Sequence, residues 1–191
     1  MCRECLPGLR RPARFSALDV DRTYATGTWF RHILEGGDVL YEPEEPADNR
    51  WQRGSVVEAL YFADSEATAW AEWYRAIAEA AVPPAQALPR DLWQWEISLP
   101  EVADLQGDER LDRVGLPSLR PTRQQWPTFQ PVGEQLHHDG WPALVCASAA
   151  RPEQGSVLCV FRTSYEVPGT RPLPPPVTVT DPPVVPTGMQ T

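Results

Sequence analysis

Short strand-like runs dominate the chain, and only one long stretch has the periodicity of an α-helix. The runs are rich in β-branched, aromatic or small apolar residues, and segments rich in Gly, Pro, Asp and Asn separate them. Five runs are predicted to be strands, at residues 23–33, 57–63, 91–99, 141–150 and 155–162. Because the helical stretches do not alternate regularly with these strands, the pattern favours an α+β fold over a doubly wound parallel sheet.

Local signals define two of these elements further. Polar and apolar side chains alternate in residues 91–99, which predicts a strand with one buried face. On that face lie Trp93, Trp95, Ile97 and Leu99. The helical stretch begins after Asp64 or Ser65, either of which can cap it, and ends near Ala81, where Val-Pro-Pro follows.

The chain is predicted to contain one folded domain, at residues 15–166, with a segment at each end. Residues 1–14 are basic, contain Pro and are expected to be loosely ordered. Residues 167–191 contain eight Pro. Since Pro donates no backbone hydrogen bond, this segment is predicted to be an extended tail without strand or helix, or a ligand for a Pro-recognition module. Within the domain, residues 34–54 are predicted to be a long loop and residues 103–140 to hold short helices.

The formal net charge of -9 and the pI near 4.8 argue against several classes of partner. Non-specific nucleic-acid binding needs Lys and Arg to neutralise phosphates, and anionic membranes repel an acidic protein, so neither is expected as a direct partner. The sequence has no apolar run long enough to cross a bilayer, and its start lacks the apolar stretch of a signal peptide. We therefore expect a cytoplasmic protein.

The four cysteines are too few for a disulfide scaffold in a chain of 191 residues. Cys146 and Cys159 lie in apolar runs and are predicted to be small core residues. Cys2 and Cys5 form a lone Cys-x-x-Cys pair without a second ligand pair at suitable spacing. No metal site is therefore expected.

Periodicity leaves two roles open for Glu72. On a helical wheel Glu72 and Arg75 lie opposite an apolar stripe, so Glu72 can be a solvated residue that pairs with Arg75 at i,i+3. The same side of the helix also carries Thr68 and Trp73. A solvated face does not usually carry Trp, so part of this side is predicted to line a cleft, in which Glu72 would be a catalytic carboxylate.

An ordered set of motifs runs through the domain: TWFRHI, NRWQRG, ALYFADS, TAWAEW and GWPALVCASAARPEQGSVLCVF. Over about residues 24–162 the set resembles the RES-domain family, which is named for its Arg, Glu and Ser residues. The resemblance implies a fold like that of ADP-ribosyltransferases, with mixed sheets and a few flanking helices. It also implies an enzyme that destroys NAD by hydrolysis or phosphorolysis, as the toxin of a toxin–antitoxin pair with a small Xre-type antitoxin. NAD is then the substrate, and no cofactor is implied.

Five residues of this chain match characteristic residues of the family. Arg31 in WFRH and Arg50 in NRW match the two family arginines. Tyr61 in LYFADS matches the family Tyr, Glu72 the family Glu, and Ser148 in CASAA the family Ser. Catalytic roles are implied for Glu72, Arg31, Arg50 and Ser148. Substrate contacts are implied for Arg31, Arg50, Tyr61 and Ser148.

The chemistry of NAD cleavage suits these residue types. Nicotinamide leaves as a neutral molecule, while positive charge builds at the anomeric carbon of the ribose. A carboxylate such as Glu72 can stabilise this charge and hold the neighbouring 2′ hydroxyl. Guanidinium groups bind phosphate oxygens bidentately, which suits Arg31 and Arg50 to the pyrophosphate. Tyr61 could stack on the nicotinamide, and Ser148 could bind the nicotinamide amide or the ribose.

Each of these residues also has a structural interpretation. Arg31 and Arg50 could instead pair with carboxylates of the acidic insert, residues 35–48. Tyr61 could be an ordinary core residue and Ser148 an ordinary strand end. The sequence has neither the Gly-rich dinucleotide-binding fingerprint nor a Walker motif, so NAD would bind without either.

Two other functions stay open on the sequence alone. The domain could transfer ADP-ribose to a protein, because nothing in the sequence separates water, phosphate and protein as acceptors. It could also be a catalytically silent RES-fold binding protein, in which the acidic insert or the Pro-rich tail recruits a partner. The oligomeric state is not determined, and a homodimer stays open.

Overall fold

The computed structural model describes residues 17–41, 43–117 and 121–190, so the predictions for residues 1–14, with Cys2 and Cys5, fall outside it. Six strands lie in the described ranges: β1 (Asp21–Leu34), β2 (Glu58–Ala63), β3 (Arg90–Leu105), β4 (Ala143–Ala147), β5 (Ser156–Arg162) and β6 (Thr170–Val179). The α-helices there are α1 (Glu66–Glu79), α2 (Asp108–Arg113) and α3 (Trp126–His138). The predicted α+β class, with mixed strand pairing and a few flanking helices, is confirmed. None of the helices in these ranges has the length and apolarity needed to cross a membrane.

All six strands belong to one sheet, and β3 pairs with three of them along its 16 residues. β1 runs antiparallel along one side of β3. On the other side β6 pairs with the first half of β3, and β4 pairs in parallel with its last residues. β5 and β2 extend the sheet beyond β4. β2 then meets β1 at one residue pair, Phe30 with Ala63, so the two strands come together at that point and are otherwise separate.

The part of the sheet formed by β2, β5 and β4 is buried on both faces, which explains the apolar runs in the sequence. One face packs against β1 and β3, where Leu60 and Phe62 lie in one cluster with Trp95. The other face packs under α2 and α3. Cys146 and Cys159 are buried free thiols of this second cluster, as predicted.

Helix α1 is buried around more of its circumference than the helical wheel predicts. Ser65 caps it by accepting a hydrogen bond from the Thr68 amide (3.2 Å), and the helix ends at Glu79, close to the predicted end. Trp73 is 1% exposed and packs with Leu92 of β3, so it belongs to the core and not to a cleft surface. Thr68 is fully buried. Its assignment to a solvent face is wrong because the loop between β4 and β5 packs on that side.

The C-terminal segment corrects the prediction of a tail without strand pairing. Residues 170–179 form β6, so β5 is not the last strand. β6 pairs antiparallel with β3, and a register shift between Leu92 and Gln94 accommodates the residues around Pro175. As an edge strand, β6 can contain Pro because one side of its backbone needs no partner.

Candidate active site

A cleft opens where β1 and β2 separate and α1 runs beside them. It consists of two adjoining cavities, of about 270 Å³ and about 110 Å³. Four lining residues are common to both: Asn49, Tyr61, Glu72 and Val157. Arg31 lines the larger cavity and Arg50 the smaller one. The structure therefore brings four of the five predicted residues to one cleft, and the fifth, Ser148, contacts Glu72.

Neighbouring groups fix the orientation of Glu72. Its Oε1 accepts hydrogen bonds from the Ser148 hydroxyl (2.6 Å) and from the Ala150 amide (3.3 Å). Its Oε2 has no hydrogen-bond partner among the described residues. Arg75 forms its ion pair with Glu79 (3.2 Å). The predicted pairing of Glu72 with Arg75 is therefore wrong, and the Glu72 side chain is half-buried.

Ser148 lies directly after β4 and is fully buried. Its hydroxyl donates to Glu72 and accepts hydrogen bonds from two amides of the following turn, at 3.2 and 2.9 Å. Gly155 lets the same loop approach α1 closely, because a Cβ there would lie 2.5 Å from Oγ1 of Thr68. The turn is therefore held against α1 at two places, by the hydrogen bond from Ser148 to Glu72 and by the contact of Gly155 with Thr68.

Arg50 is a buried guanidinium that uses only some of its donors. It is 8% exposed and lies against the rings of Trp51 and Phe129, with its Cζ 4.8 Å from each ring centroid. Its Nη1 donates to the Ala147 carbonyl (3.3 Å) and lies 3.7 Å from Sγ of Cys146. Nε and Nη2 have no hydrogen-bond partner in the described part of the chain. Two of its donor groups are thus buried without a hydrogen-bond partner, which is uncommon in proteins.

Arg31 reaches the acidic insert through a backbone carbonyl. Its Nη1 donates to the Val39 oxygen at 2.9 Å, whereas the Asp48 carboxylate accepts from a backbone amide. Within residues 17–41 and 43–117, neither Arg31 nor Arg50 forms an ion pair with the insert, so that alternative is wrong for the described carboxylates. Burial lowers the pKa of Arg31 to about 10, which keeps the side chain charged at neutral pH.

Tyr61 presents its ring to the cleft. Its hydroxyl accepts a hydrogen bond from the Trp51 amide (3.3 Å), and burial raises the pKa of Tyr61, so the hydroxyl stays protonated. The residue lines both cavities. With the hydroxyl engaged, an aromatic face at their junction is suited to stacking on a flat ring.

His32 is an uncharged neighbour of Arg31 in the larger cavity. Its ring stacks on Trp70, with centroids 5.5 Å apart and planes at 6°. Burial and, to a smaller extent, the charges of Arg90 and Arg31 lower the pKa of His32 to about 3. His32 therefore contributes a neutral imidazole, whose buried Nδ1 has no partner among the residues described.

Two further cleft residues, Asn49 and Arg75, were not predicted from the sequence. Asn49 lines both cavities, and its position beside Arg50 in the motif NRW was an available signal. Arg75 lines the smaller cavity and donates to the carbonyls of Ala149 (2.6 Å) and Pro121 (2.9 Å). Since both carbonyls lie far from Arg75 in sequence, no local pattern could have indicated this role.

The arrangement combines one oriented carboxylate with guanidinium groups that are not neutralised by acidic side chains of the described insert. Such a site can bind an anion and can stabilise positive charge that develops beside the carboxylate. In the described ranges, no group of three or more His, Cys, Asp or Glu side chains is placed to hold a metal ion.

Comparisons with known proteins agree with the motifs. A comparison with curated protein sequences returned no significant match. The fold is similar to a chain in the crystal structure of the M. tuberculosis MbcT-MbcA toxin-antitoxin complex, with a TM-score of 0.67 and 21% sequence identity over 83% of this chain and 87% of that chain. The family model of the RES domain matches residues 8–175. Because this match spans most of the 191 residues, the chain belongs to the RES-domain family.

Proposed function

We propose that this protein cleaves the bond between nicotinamide and ribose in NAD, with water or phosphate as the acceptor. The observation that carries the proposal is the state of Glu72: one oxygen is fixed by Ser148 and Ala150, and the other is left for a ligand. This carboxylate lies where two cavities join, with Arg31 in one and Arg50 in the other. Membership of the RES-domain family supports the same reaction.

In the proposed reaction Glu72 stabilises the ribose as it becomes positively charged. The nicotinamide of NAD is a pyridinium, so it takes the electron pair of the breaking C–N bond and leaves neutral without an acid. The anomeric carbon becomes oxocarbenium-like, and a nearby carboxylate lowers the energy of that state. Because Ser148 and Ala150 orient Glu72 in advance, little reorganisation is needed during the reaction. Oε2 is then available to accept a hydrogen bond from the ribose 2′ hydroxyl.

The guanidinium groups of Arg50 and Arg31 bind the pyrophosphate of NAD. Two donor groups of Arg50 are buried without partners, which costs free energy that phosphate oxygens would offset. Arg31 stays charged in the larger cavity. Tyr61, at the junction of the cavities, stacks on the nicotinamide ring.

We also propose that the protein is the toxin of a toxin–antitoxin pair. The support is its fold, which is similar to a chain of a toxin-antitoxin complex over 83% of its length. The expected partner is a small helical antitoxin of the Xre type that covers the cleft. Expression of the wild type alone is expected to arrest growth, and expression of the Glu72→Gln variant is not.

The direct test is nicotinamide release from NAD by the purified protein, freed of any co-purifying partner, with and without phosphate. We expect release by the wild type and its loss in Glu72→Gln. ADP-ribose as the second product indicates hydrolysis, and ADP-ribose 1″-phosphate indicates phosphorolysis. Glu66→Gln is the matched control, because Glu66 is an exposed carboxylate of the same helix that accepts a hydrogen bond from Trp70. A folded wild-type protein that releases no nicotinamide in either condition would overturn the proposal.

A further inference from the structure

The chain beyond β6 returns to the turn that follows Ser148. We call residues 181–190 the C-terminal strap. Near its start, the Tyr74 hydroxyl of α1 donates to the Pro183 carbonyl, and at its end the Gln190 amide donates to the Ala150 carbonyl (2.8 Å). The strap lies beyond the residues that the RES family model matches, so it is a feature of this chain outside the matched domain.

Arg151 joins the strap, the turn and α1. It is 9% exposed, and its backbone amide donates to the Ser148 hydroxyl (2.9 Å). Its side chain donates to the Thr187 carbonyl of the strap (3.0 Å), to Oγ1 of Thr68 in α1 (3.1 Å) and to Oε1 of Gln154 (2.9 Å). All three acceptors are uncharged. The planar guanidinium therefore acts here as a fork that fixes three segments at defined angles.

Ala150 connects the strap directly to the candidate catalytic carboxylate. Its amide donates to Oε1 of Glu72 (3.3 Å), and its carbonyl accepts from the Gln190 amide. Movement of the strap would therefore be transmitted through one residue to Glu72.

We propose that Arg151 and the C-terminal strap hold the turn whose donors orient Glu72, which makes Arg151 a positioning residue. This inference rests on the proposed function for its catalytic consequence. Pro182, Pro183 and Pro186 restrict the backbone of the strap, so the strap loses less conformational entropy when it docks than a Pro-free segment would. Without the strap, Ser148 and Ala150 would hold Glu72 less firmly, and the carboxylate would be misaligned with the developing charge.

The first test compares the full chain with a chain that ends at Thr180 and with Arg151→Gln. Because Glu72 is proposed to act on the transition state, we expect kcat for nicotinamide release to fall about tenfold or more in both, while KM for NAD changes less than about threefold. Arg151→Lys, which keeps one donor group, is expected to recover part of kcat. An unchanged kcat in the truncated chain, or a loss expressed only in KM, would contradict the inference.

The second test does not depend on activity. Hydrogen exchange of the backbone amides in residues 148–155 is expected to be at least about tenfold faster in the truncated chain, because local opening becomes easier. If the wild type released no nicotinamide, the proposed function would fail, but this measurement would still decide whether the strap holds the turn. Equal exchange rates with and without the strap would overturn the inference that the strap holds the turn.

If the truncated chain does not fold, a point substitution in the strap can replace the truncation in both tests. Gly188 has φ +78°, and a Cβ there would lie 2.8 Å from Oε1 of Gln154, so Gly188→Ala is expected to strain the backbone of the strap and to push Gln154 away from Arg151. Gly140→Ala is the matched control, since Gly140 has φ +87° and its Cβ would meet nothing within 4 Å. If Tm falls equally in the two variants, only Gly188→Ala should lower kcat and speed hydrogen exchange of the amides in residues 148–155. The same loss of kcat in both variants would show a general effect of stability and refute the positioning role.

Discussion

The two sides of the cleft hold their charged groups in opposite ways. On the helix side, Oε1 of Glu72 accepts from Ser148 and Ala150, two uncharged donors of a turn that is itself fixed to α1. On the other side, Arg50 packs against two aromatic rings and donates through one nitrogen, while Nε and Nη2 have no partner among the described residues. The carboxylate is thus oriented by hydrogen bonds, and the guanidinium is held mainly by packing.

This difference matches the tasks proposed for the two sides. A carboxylate that stabilises a developing charge must be oriented before the reaction, and uncharged donors orient it without neutralising it. A guanidinium that binds phosphate must keep donors free, and aromatic faces hold it without using them. In a chain of net charge -9, cations that are not paired with carboxylates are also needed to attract an anionic substrate.

The strongest test of the comparison removes the charge of Glu72 and keeps its shape. Glu72→Gln is expected to lower kcat by about a thousandfold, because an amide cannot stabilise the developing positive charge. Tm should change little, since the amide oxygen can still accept from Ser148 and Ala150. Nicotinamide release and thermal unfolding are the measurements, and a kcat within a factor of about ten of the wild type would remove Glu72 from the mechanism.

A smaller effect is expected from changing the donor geometry on the arginine side. Arg50→Lys keeps the charge but loses the bidentate fork and the planar contact with Trp51 and Phe129, so KM for NAD should rise about tenfold or more. Arg53→Lys is the control, because Arg53 is exposed and pairs with Glu134. If Arg50→Lys lowered kcat with KM unchanged, Arg50 would belong with Glu72 in the chemical step.

The turn on the helix side can be weakened one donor at a time. Ser148→Ala removes the 2.6 Å hydrogen bond to Glu72 and leaves two backbone amides without their shared acceptor. We expect kcat to fall about tenfold and the free energy of unfolding to fall by about 1–2 kcal/mol. Ser164→Ala, at an exposed position, is the control for loss of a hydroxyl. A Ser148→Ala enzyme with normal kcat would show that Glu72 needs no orientation from this side.

The smallest effect is expected for His32, and it concerns stability alone. The pKa of His32 is about 3 in the folded protein and 6.5 is its ordinary value, so neutral His32 stabilises the fold above pH 6.5 and this contribution is lost as the pH falls toward 3. Between pH 7.5 and 5 the wild type should lose about 2 kcal/mol more unfolding free energy than His32→Gln. Urea unfolding at several pH values measures this, with His138→Gln at an exposed position as control. Parallel pH profiles for wild type and His32→Gln would show that folding does not lower the pKa of His32.

The local sequence predicted those parts of the fold that depend on local periodicity and end signals. Ser65, one of the two predicted cap residues, caps α1, and the alternation in residues 91–99 gives a strand with Trp95 and Ile97 buried. The order of the motifs identified the family and selected residues that the structure brings to one cleft. Their catalytic roles stay predictions.

Tertiary packing decided what local signals could not. Residues 170–179 contain four Pro, yet they pair with β3 because an edge strand tolerates missing donors. Thr68 lies on the polar side of a helical wheel but is buried, because a loop more than 80 residues away in sequence packs on it through Gly155. Arg75 and Arg151 likewise find their partners across distant segments. The periodicity of a segment predicts the helix or strand that it forms. The partners of each side chain depend instead on which other segments the fold places against it.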